Sequence, residues 1–300
     1  DFDHNARSFR RGGWWQYAVD EAKAVRETAG LIDATAFTKH FVSGPGATEF
    51  LDWFTTNKLP KVGRINLTYA LTPTGTTRTE YTIVRRREDG YYLVSAGAWS
   101  AYDADYLHKS VEDFMGRGGA QVLVHDVTTQ WGVFALAGPK SRDILKELIR
   151  DPEPETALSN KRFPWLSAKD IELGMVPTVG IRVAYTGELG WELHHPIEMQ
   201  NHLFDRLIEA GEKHGMKLVG ARAQNWLRQE KSYRAFGTAA EYVVVPAALA
   251  VPLPEGAGEQ PELLEQAACL GIAGITGYRA VFAGGPVAGL DVLVWGAASG

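Results

Sequence analysis

Apolar and polar positions follow two alternating periods along most of this chain, and each switch of period marks a change of backbone habit. Residues 17–29 (YAVDEAKAVRETA) carry the helical period, which Gly30 stops. The run KHFVSG is extended, and Pro45-Gly46 opens a second helix over ATEFLDWFTT. Leu67–Leu71 and Glu80–Val84 then read as two strands around Pro73-Thr74-Gly75, the pattern of a hairpin. Arg85-Arg86-Arg87-Glu88-Asp89-Gly90 reads as a charged turn leading into a strand over Tyr91–Ala96.

A helix is predicted over 101–115, ended by Gly116, with strands at Val122–Asp126 and Trp131–Ala135. Gly138-Pro139 opens a helix running to Leu148, with proline early, where its missing N–H costs nothing. The same strand–strand–helix order returns with Val179–Ala184, Glu192–His195 and a helix over 197–214 that Gly215 stops. Antiparallel strands with helices on one face predict an α+β fold, not a parallel doubly wound sheet. No repeat period argues for a solenoid.

Charge changes the picture at one place. Residues 238–300 hold six acids and one base, which accounts for the whole net charge of -5 and leaves residues 1–237 neutral with 30 of each. That tail also lacks lysine and is dense in Ala and Gly, so a boundary is expected near 238. Neither part is basic enough for a nucleic-acid surface, and the three consecutive arginines read as a solvated turn. No apolar run approaches the roughly 20 residues that span a bilayer, so no membrane partner is expected. No basic stretch followed by an apolar one marks a signal peptide. The single cysteine, Cys269, excludes an internal disulfide and a multi-cysteine metal site.

Two phrases carry candidate chemistry: Tyr185-Thr-Gly-Glu-Leu-Gly-Trp-Glu192 and Ala221-Arg-Ala-Gln-Asn-Trp-Leu-Arg-Gln-Glu-Lys-Ser-Tyr-Arg-Ala-Phe-Gly237. Each sets a Glu and an Arg beside a glycine turn or on an apolar helix, a pairing that reads the polar edge of a flat heterocycle and an anionic tail. Glu192 on periodicity alone is an outward strand residue. His194-His195 is no metal pair, because adjacent strand residues face opposite ways and no third ligand is near.

These phrases, with GLIDATAFTKHFVSGPGATEFL (30–51), NKLPKVGRINLTYALTPTGTTRTEYTIVRR (57–86), WGVFALAGPKSRDIL (131–145) and LRQEKSYRAFG (227–237), resemble the folate-binding aminomethyltransferase family over about residues 5–237. That family includes the T-protein of the glycine cleavage system and the C-terminal parts of dimethylglycine and sarcosine dehydrogenases. The phrases NKLPKVGR and EKSYRAFG are nearer the dehydrogenase-linked members.

The resemblance implies an aminomethyltransferase-like folate-binding fold of antiparallel sheets with helices, with tetrahydrofolate as cofactor. It makes Glu192 the carboxylate that accepts the two parallel donors of the pterin edge. Gly187 and Gly190 let the turn approach the ring, Arg222 meets a polar or anionic group, and Tyr185 stacks or hydrogen-bonds in the pocket. The family's catalytic Asp, five residues after a turn glycine, falls on Glu80, one methylene longer. The alternative for Glu80 is a strand-edge carboxylate paired with Arg78 or Arg85, and Arg228 and Glu230 read as structural pairs.

The implied reaction is one-carbon transfer from an N-methyl amine of the dimethylglycine or sarcosine type. A flavin-dependent oxidase or dehydrogenase domain, outside this chain, would carry FAD. The implied compartment is the cytoplasm, or the mitochondrial matrix in a eukaryote. A folate-binding regulatory protein without turnover is the alternative from another class.

The tail phrases AEYVVVPAALAVPLPEG (240–256), AACLGIAGITGYRAVF (267–282) and GPVAGLDVLVWGAASG (285–300) resemble a different family, the medium-chain quinone reductases and alcohol dehydrogenases. They imply a partial α/β, half-Rossmann segment over 238–300. Gly296 and Gly300 would open a pyrophosphate loop for NADP whose following helix is missing. An NADP-dependent oxidoreductase fragment is the third reading.

Overall fold

Residues 13–231 and Tyr233 are described by the computed structural model, and their elements alternate as the periods of the sequence require. In chain order these are α1 (Trp15–Glu27), β1 (Gly30–Asp33), β2 (Thr38–Ser43), α2 (Ala47–Phe54), β3 (Ile65–Leu71), β4 (Thr77–Arg87) and β5 (Gly90–Ser95). After them come α3 (Ser100–Gly116), β6 (Leu123–Asp126), β7 (Trp131–Ala137), α4 (Ser141–Leu148) and α5 (Pro154–Ala157). The series continues with β8 (Ala168–Leu173), β9 (Val176–Ile181), β10 (Gly190–Pro196), α6 (Gln200–Glu212), β11 (Lys217–Leu218) and α7 (Ala221–Glu230). Two compact units divide the chain. One holds the residues up to Ala184 together with Glu188–Gly220, and the other holds Tyr185–Gly187 and the chain from Ala221.

The first unit is built on two sheets. The six-stranded sheet has the order β11-β1-β7-β10-β9-β8, antiparallel except where β11 joins β1. The five-stranded sheet has the order β3-β4-β5-β2-β6 and is antiparallel throughout. Strand alternation sorts the side chains into layers. Trp191 and Leu193 of β10 point to one face, where they pack with Ile144, Leu145 and Leu148 of α4 and Leu203 and Leu207 of α6. Tyr81 and Ile83 of β4 pack against Phe50, Leu51 and Phe54 of α2 and Leu107, Val111 and Phe114 of α3. The opposite faces meet each other: Val84, Tyr92 and Val94 of the five-stranded sheet share a cluster with Val179 and Ile181 of the six-stranded one. The unit is therefore helix, sheet, sheet, helix, and the α+β class predicted from the sequence holds.

Helix spacing explains the outer layers. Leu107, Val111 and Phe114 recur at four and three residues on α3 and make one buried stripe. Phe50 and Phe54, four apart on α2, stack with centroids 5.2 Å apart. Burying side chains of this size contributes about 1.5–3 kcal/mol each.

Four details differ from the sequence reading. Gly30 does not stop α1, which ends at Glu27 with Thr28 as its C-cap; it begins β1 instead, since the short apolar run after it pairs with β7. Arg85 pairs with Tyr91 and Arg87 with Gly90, with a register shift between them, so the charged turn shrinks to Glu88-Asp89. Strand β8 was not foreseen, because its burial does not alternate cleanly. The strand–strand–helix order does not repeat one pairing: β9 pairs with β10, whereas β6 pairs with β2 in one sheet and β7 lies in the other. The hairpin at Pro73-Thr74-Gly75 forms as predicted. Gly75 has φ +83°, its N–H donates to the Thr72 carbonyl at 2.9 Å, and the Thr72 N–H donates to Thr76 at 2.8 Å. The half-Rossmann segment over 238–300, and its boundary, lie outside the described residues.

Candidate functional site

Parity along the strands decides which polar groups enter the layer between the sheets. On β4, Glu80 shares a face with Val84, which belongs to that inner cluster. On β10, Glu192 and His194 face away from Trp191 and Leu193, which the outer core takes. The two carboxylates singled out in the sequence thus stand on the inner faces of opposing sheets.

Glu80 is half-buried and lies across from Tyr69 in the β3–β4 register. It makes no hydrogen bond or ion pair among the described residues. Both arginines expected as its partners are otherwise engaged. Arg78 falls in a β-bulge between β3 and β4, which aims its guanidinium at α3, 3.2 Å from the Tyr102 ring centroid and 4.9 Å from that of Tyr106. Arg85 donates to the Glu88 carboxylate at 2.9 Å. Burial raises the Glu80 carboxyl above its ordinary range, and the same burial, with the Glu80 charge behind it, raises the Tyr69 phenol.

The two glutamates of Tyr185-Thr-Gly-Glu-Leu-Gly-Trp-Glu192 have different surroundings. Glu188 is held by Arg26 of α1 at 2.6 Å. Glu192, with 13% of its side chain exposed, has Oε2 3.3 Å from Nε2 of His194. Nδ1 of His194 lies 2.9 Å from the phenol oxygen of Tyr92, on β5 of the other sheet. The Tyr92 ring sits edge-on to the His194 ring with centroids 5.4 Å apart, and Phe41 and Trp131 lie 4.9 Å and 6.3 Å from it. Burial, reinforced by the charge of Glu192, pushes the Tyr92 phenol well above its ordinary value, while Arg86 opposes the shift.

His195 points the other way, as the strand period requires. It stacks on Phe134 at 5.0 Å, its Nδ1 is 2.9 Å from the Leu193 carbonyl, and burial lowers its pKa. No group of three or more His, Cys, Asp or Glu side chains able to hold a metal ion occurs among the described residues.

Gly190 and Gly187 differ in what they require. A Cβ on Gly190 would lie 2.7 Å from the Leu136 carbonyl and 2.9 Å from Ala184, so strand packing alone demands glycine there. Gly187 has φ +72°, and a Cβ would meet Lys231 at 2.3 Å. Tyr185 and Arg222 belong with Gly187 to the second unit. Tyr185 is 41% exposed and has the Arg228 guanidinium 5.8 Å from its ring centroid. Arg222 is the exposed second residue of α7. Arg228 bonds the Tyr233 carbonyl at 2.8 Å and the Asn225 side chain, a structural tie of the kind expected. Gly296 and Gly300 lie outside the described residues.

Three buried polar groups had no sequence signal strong enough to single them out. Lys39, fully buried on β2, donates to the carbonyls of Thr35, Thr128 and Trp131 at 2.9, 3.0 and 2.7 Å. Burial holds its pKa down to about 8. Asp103, in the first turn of α3, accepts from Ser95 at 2.8 Å and Thr79 at 2.9 Å, and its carboxyl is raised by burial. The third is the His194–Tyr92 pair, half of which was legible: His194 stands two residues beyond Glu192 and so shares its face.

Known proteins support one family. The model of the GCVT N-terminal domain matches residues 3–251. Dimethylglycine dehydrogenase of Rattus norvegicus, a mitochondrial protein, is 34% identical over 231 residues, 77% of this chain and 26% of that protein. The aminomethyltransferase of Chlorobaculum tepidum is 33% identical over 230 residues, 76% of this chain and 60% of that protein. The chain thus spans about a quarter of the first relative and under two thirds of the second. Among solved structures, glycine cleavage system aminomethyltransferase T from Bartonella henselae superposes with a TM-score of 0.62 at 21% identity, covering 86% of this chain and 65% of that one, which establishes likeness of fold.

Proposed function

This chain belongs to the GCVT N-terminal domain family, and from that premise we propose that it is the reduced-folate-binding part of a one-carbon transfer enzyme. The observation that carries the reading is the placing of Glu80 and Glu192 on the inner faces of two opposed sheets, with Glu80 making no hydrogen bond or ion pair among the described residues. A half-buried carboxylate without a partner is costly to the fold alone, so a ligand-facing role accounts for it.

The residues fit reduced folate. Glu192 keeps lone pairs beyond the one facing His194, enough to accept the paired donors of a pterin edge. By the family resemblance alone, Arg222 would meet a polar or anionic group, and Tyr185 and Gly187 would belong to a ligand-approaching turn. Reduced folate supplies the nucleophilic nitrogen that takes up the one-carbon unit. Glu80 accepts the proton such a nitrogen sheds as its new bond to carbon forms. Burial, which raises its carboxyl above the ordinary range, favours the protonated form it would pass through in that role. Positioning supplies much of the remaining acceleration.

The one-carbon donor is an N-methyl amine of the dimethylglycine or sarcosine class. The name of the Rattus norvegicus relative supports that class. Oxidation of the amine, and FAD, belong to a flavin-dependent domain or partner. The compartment is the cytoplasm, or the mitochondrial matrix in a eukaryote, the latter in keeping with the mitochondrial relative of Rattus norvegicus. No helix among the described residues is long and apolar enough to cross a membrane.

Calorimetric titration with tetrahydrofolate tests the reading. The full chain binds, and Glu192→Gln loses most of the affinity. A wild-type chain that gives no heat, or a variant that binds equally well, overturns it.

A further inference from the structure

We propose that Tyr92 and His194 form a positioning relay for Glu192, running from one sheet to the other. The phenol of Tyr92 donates to Nδ1 of His194, and the Nε2–H of His194 donates to Oε2 of Glu192. The proposal rests on the reading of Glu192 as a ligand contact, and its first test is independent of any ligand.

The direction of the bonds follows from what each group can do. An ionised carboxylate only accepts, so the ring nitrogen 3.3 Å from Oε2 is the one that bears hydrogen. The phenol hydrogen then needs an acceptor. Tyr92 is 1% exposed and the His194 ring fully buried, so water does not serve. Among the described residues, the one hydrogen-bond partner of the phenol is Nδ1 at 2.9 Å. With Nδ1 as acceptor, the phenol, both ring nitrogens and Oε2 each have a partner. With hydrogen on Nδ1, Nε2 would turn a lone pair toward the carboxylate and the phenol hydrogen would be left without an acceptor.

The geometry also says why this serves Glu192. A glutamate on a strand has three side-chain torsions, and Glu192 lies on an inner face where cross-strand Ala135 and Ile181 offer no polar contact. His194 shares its face two residues on, so the bond runs along the strand. Its ring is held by packing against Tyr92, which itself packs against Phe41 and Trp131. A rigid aromatic group on one sheet thereby fixes the torsions of a carboxylate on the other. A held carboxylate loses less freedom on meeting a ligand, which is how positioning converts to affinity. Because Glu192 bonds His194 through one oxygen, the capacity for two parallel donors remains.

The experiment has two arms on the full chain. In the first, ring-nitrogen NMR of the uniformly ¹⁵N-labelled, ligand-free protein assigns the hydrogen of His194. Hydrogen on Nε2, with Nδ1 bare, is expected, and both Tyr92→Phe and Glu192→Gln shift the His194 signals. Hydrogen on Nδ1, or signals indifferent to both changes, overturns the relay.

In the second arm, tetrahydrofolate is titrated into four proteins: wild type, Tyr92→Phe, Glu192→Gln and the double variant. Tyr92→Phe weakens binding about 3- to 10-fold in the wild-type background, the scale of one hydrogen bond, and less than about twofold when Glu192 is already Gln. His194→Gln, whose amide can both accept from the phenol and donate to the carboxylate, retains most of the affinity. A purely structural Tyr92 would weaken both backgrounds equally and overturn the positioning role. If Glu192→Gln leaves tetrahydrofolate binding intact, the folate assignment of Glu192 fails, and the NMR arm alone decides the relay.

Discussion

Replacing Glu80 by Gln separates a catalytic carboxylate from a structural one more cleanly than any other change in this protein. The side chain makes no hydrogen bond or ion pair among the described residues, so the substitution breaks no contact. Its effect on stability is confined to the cost of holding a charge at a half-buried position. Burial raises the folded-state pKa above the ordinary value of 4.5. Folding therefore takes up protons between the two values, and stability is lost as pH rises through that window. Glu80→Gln should be at least as stable as wild type at neutral pH. The difference should vanish well below pH 4.5.

Loss of a general acid–base group lowers rate by about 10²- to 10⁴-fold. The assay is the initial rate of one-carbon uptake by tetrahydrofolate above the uncatalysed reaction, read beside urea unfolding and calorimetric affinity. The expected pattern is a lost rate, an unchanged affinity and an undiminished stability. A rate within about threefold of wild type would refute the role, since that falls far below the typical acid–base contribution. Glu80→Asp, shortened by a methylene, moves the carboxyl by about 1 Å and should cost up to 100-fold if Glu80 is placed for the reacting nitrogen.

Three further outcomes follow from the buried polar groups and the tight turns. Asp103→Ala strips the acceptor from Ser95 and Thr79 and should cost roughly 2–4 kcal/mol in denaturant unfolding, while Asp103→Asn keeps an acceptor and should cost less than half of that. His40 and His195 are held below 6.5 by burial, with Asp126 opposing the shift at His40. The unfolded chain takes up their protons first, so the urea midpoint should fall between about pH 7.5 and 5.5, and fall less in His40→Leu. Gly97→Ala sets a Cβ 1.7 Å from the Ala36 carbonyl oxygen and should destabilise the protein by at least about 2 kcal/mol, visible as a lowered Tm.

Local chemistry made much of this fold legible. Proline and glycine at 73–75 define the β3–β4 turn, and the spacing of Leu107, Val111 and Phe114 defines α3. What was not legible depended on which strand meets which. Arg78 beside Glu80 reads as an ion pair until a bulge turns the guanidinium onto two tyrosines. The arginines at 85–87 read as a turn because charge signals solvent, yet their backbone completes a ladder. Strand β8 hides because a mixed burial pattern carries no period. For the site, Glu80 and Glu192 were named through family phrases, and period two places each on its face. Tyr92 had no such signal, since it meets His194 only because two sheets are stacked, roughly 100 residues apart in sequence.

The three-residue turn Tyr185–Gly187 belongs to a different compact unit from the strands on either side of it, and its companions begin at Ala221. That assignment sets an order of events during synthesis. At the usual 5–20 residues per second, the turn leaves the ribosome about 2–7 s before the helix with which the rest of its unit begins. The strands of the first unit can find their ladders in that interval, while the turn carrying Tyr185 and Gly187 waits. A truncation at Gly220 would keep every strand of the described residues and still leave that turn without its other half, so the second unit cannot be removed by a single cut or expressed as one contiguous fragment.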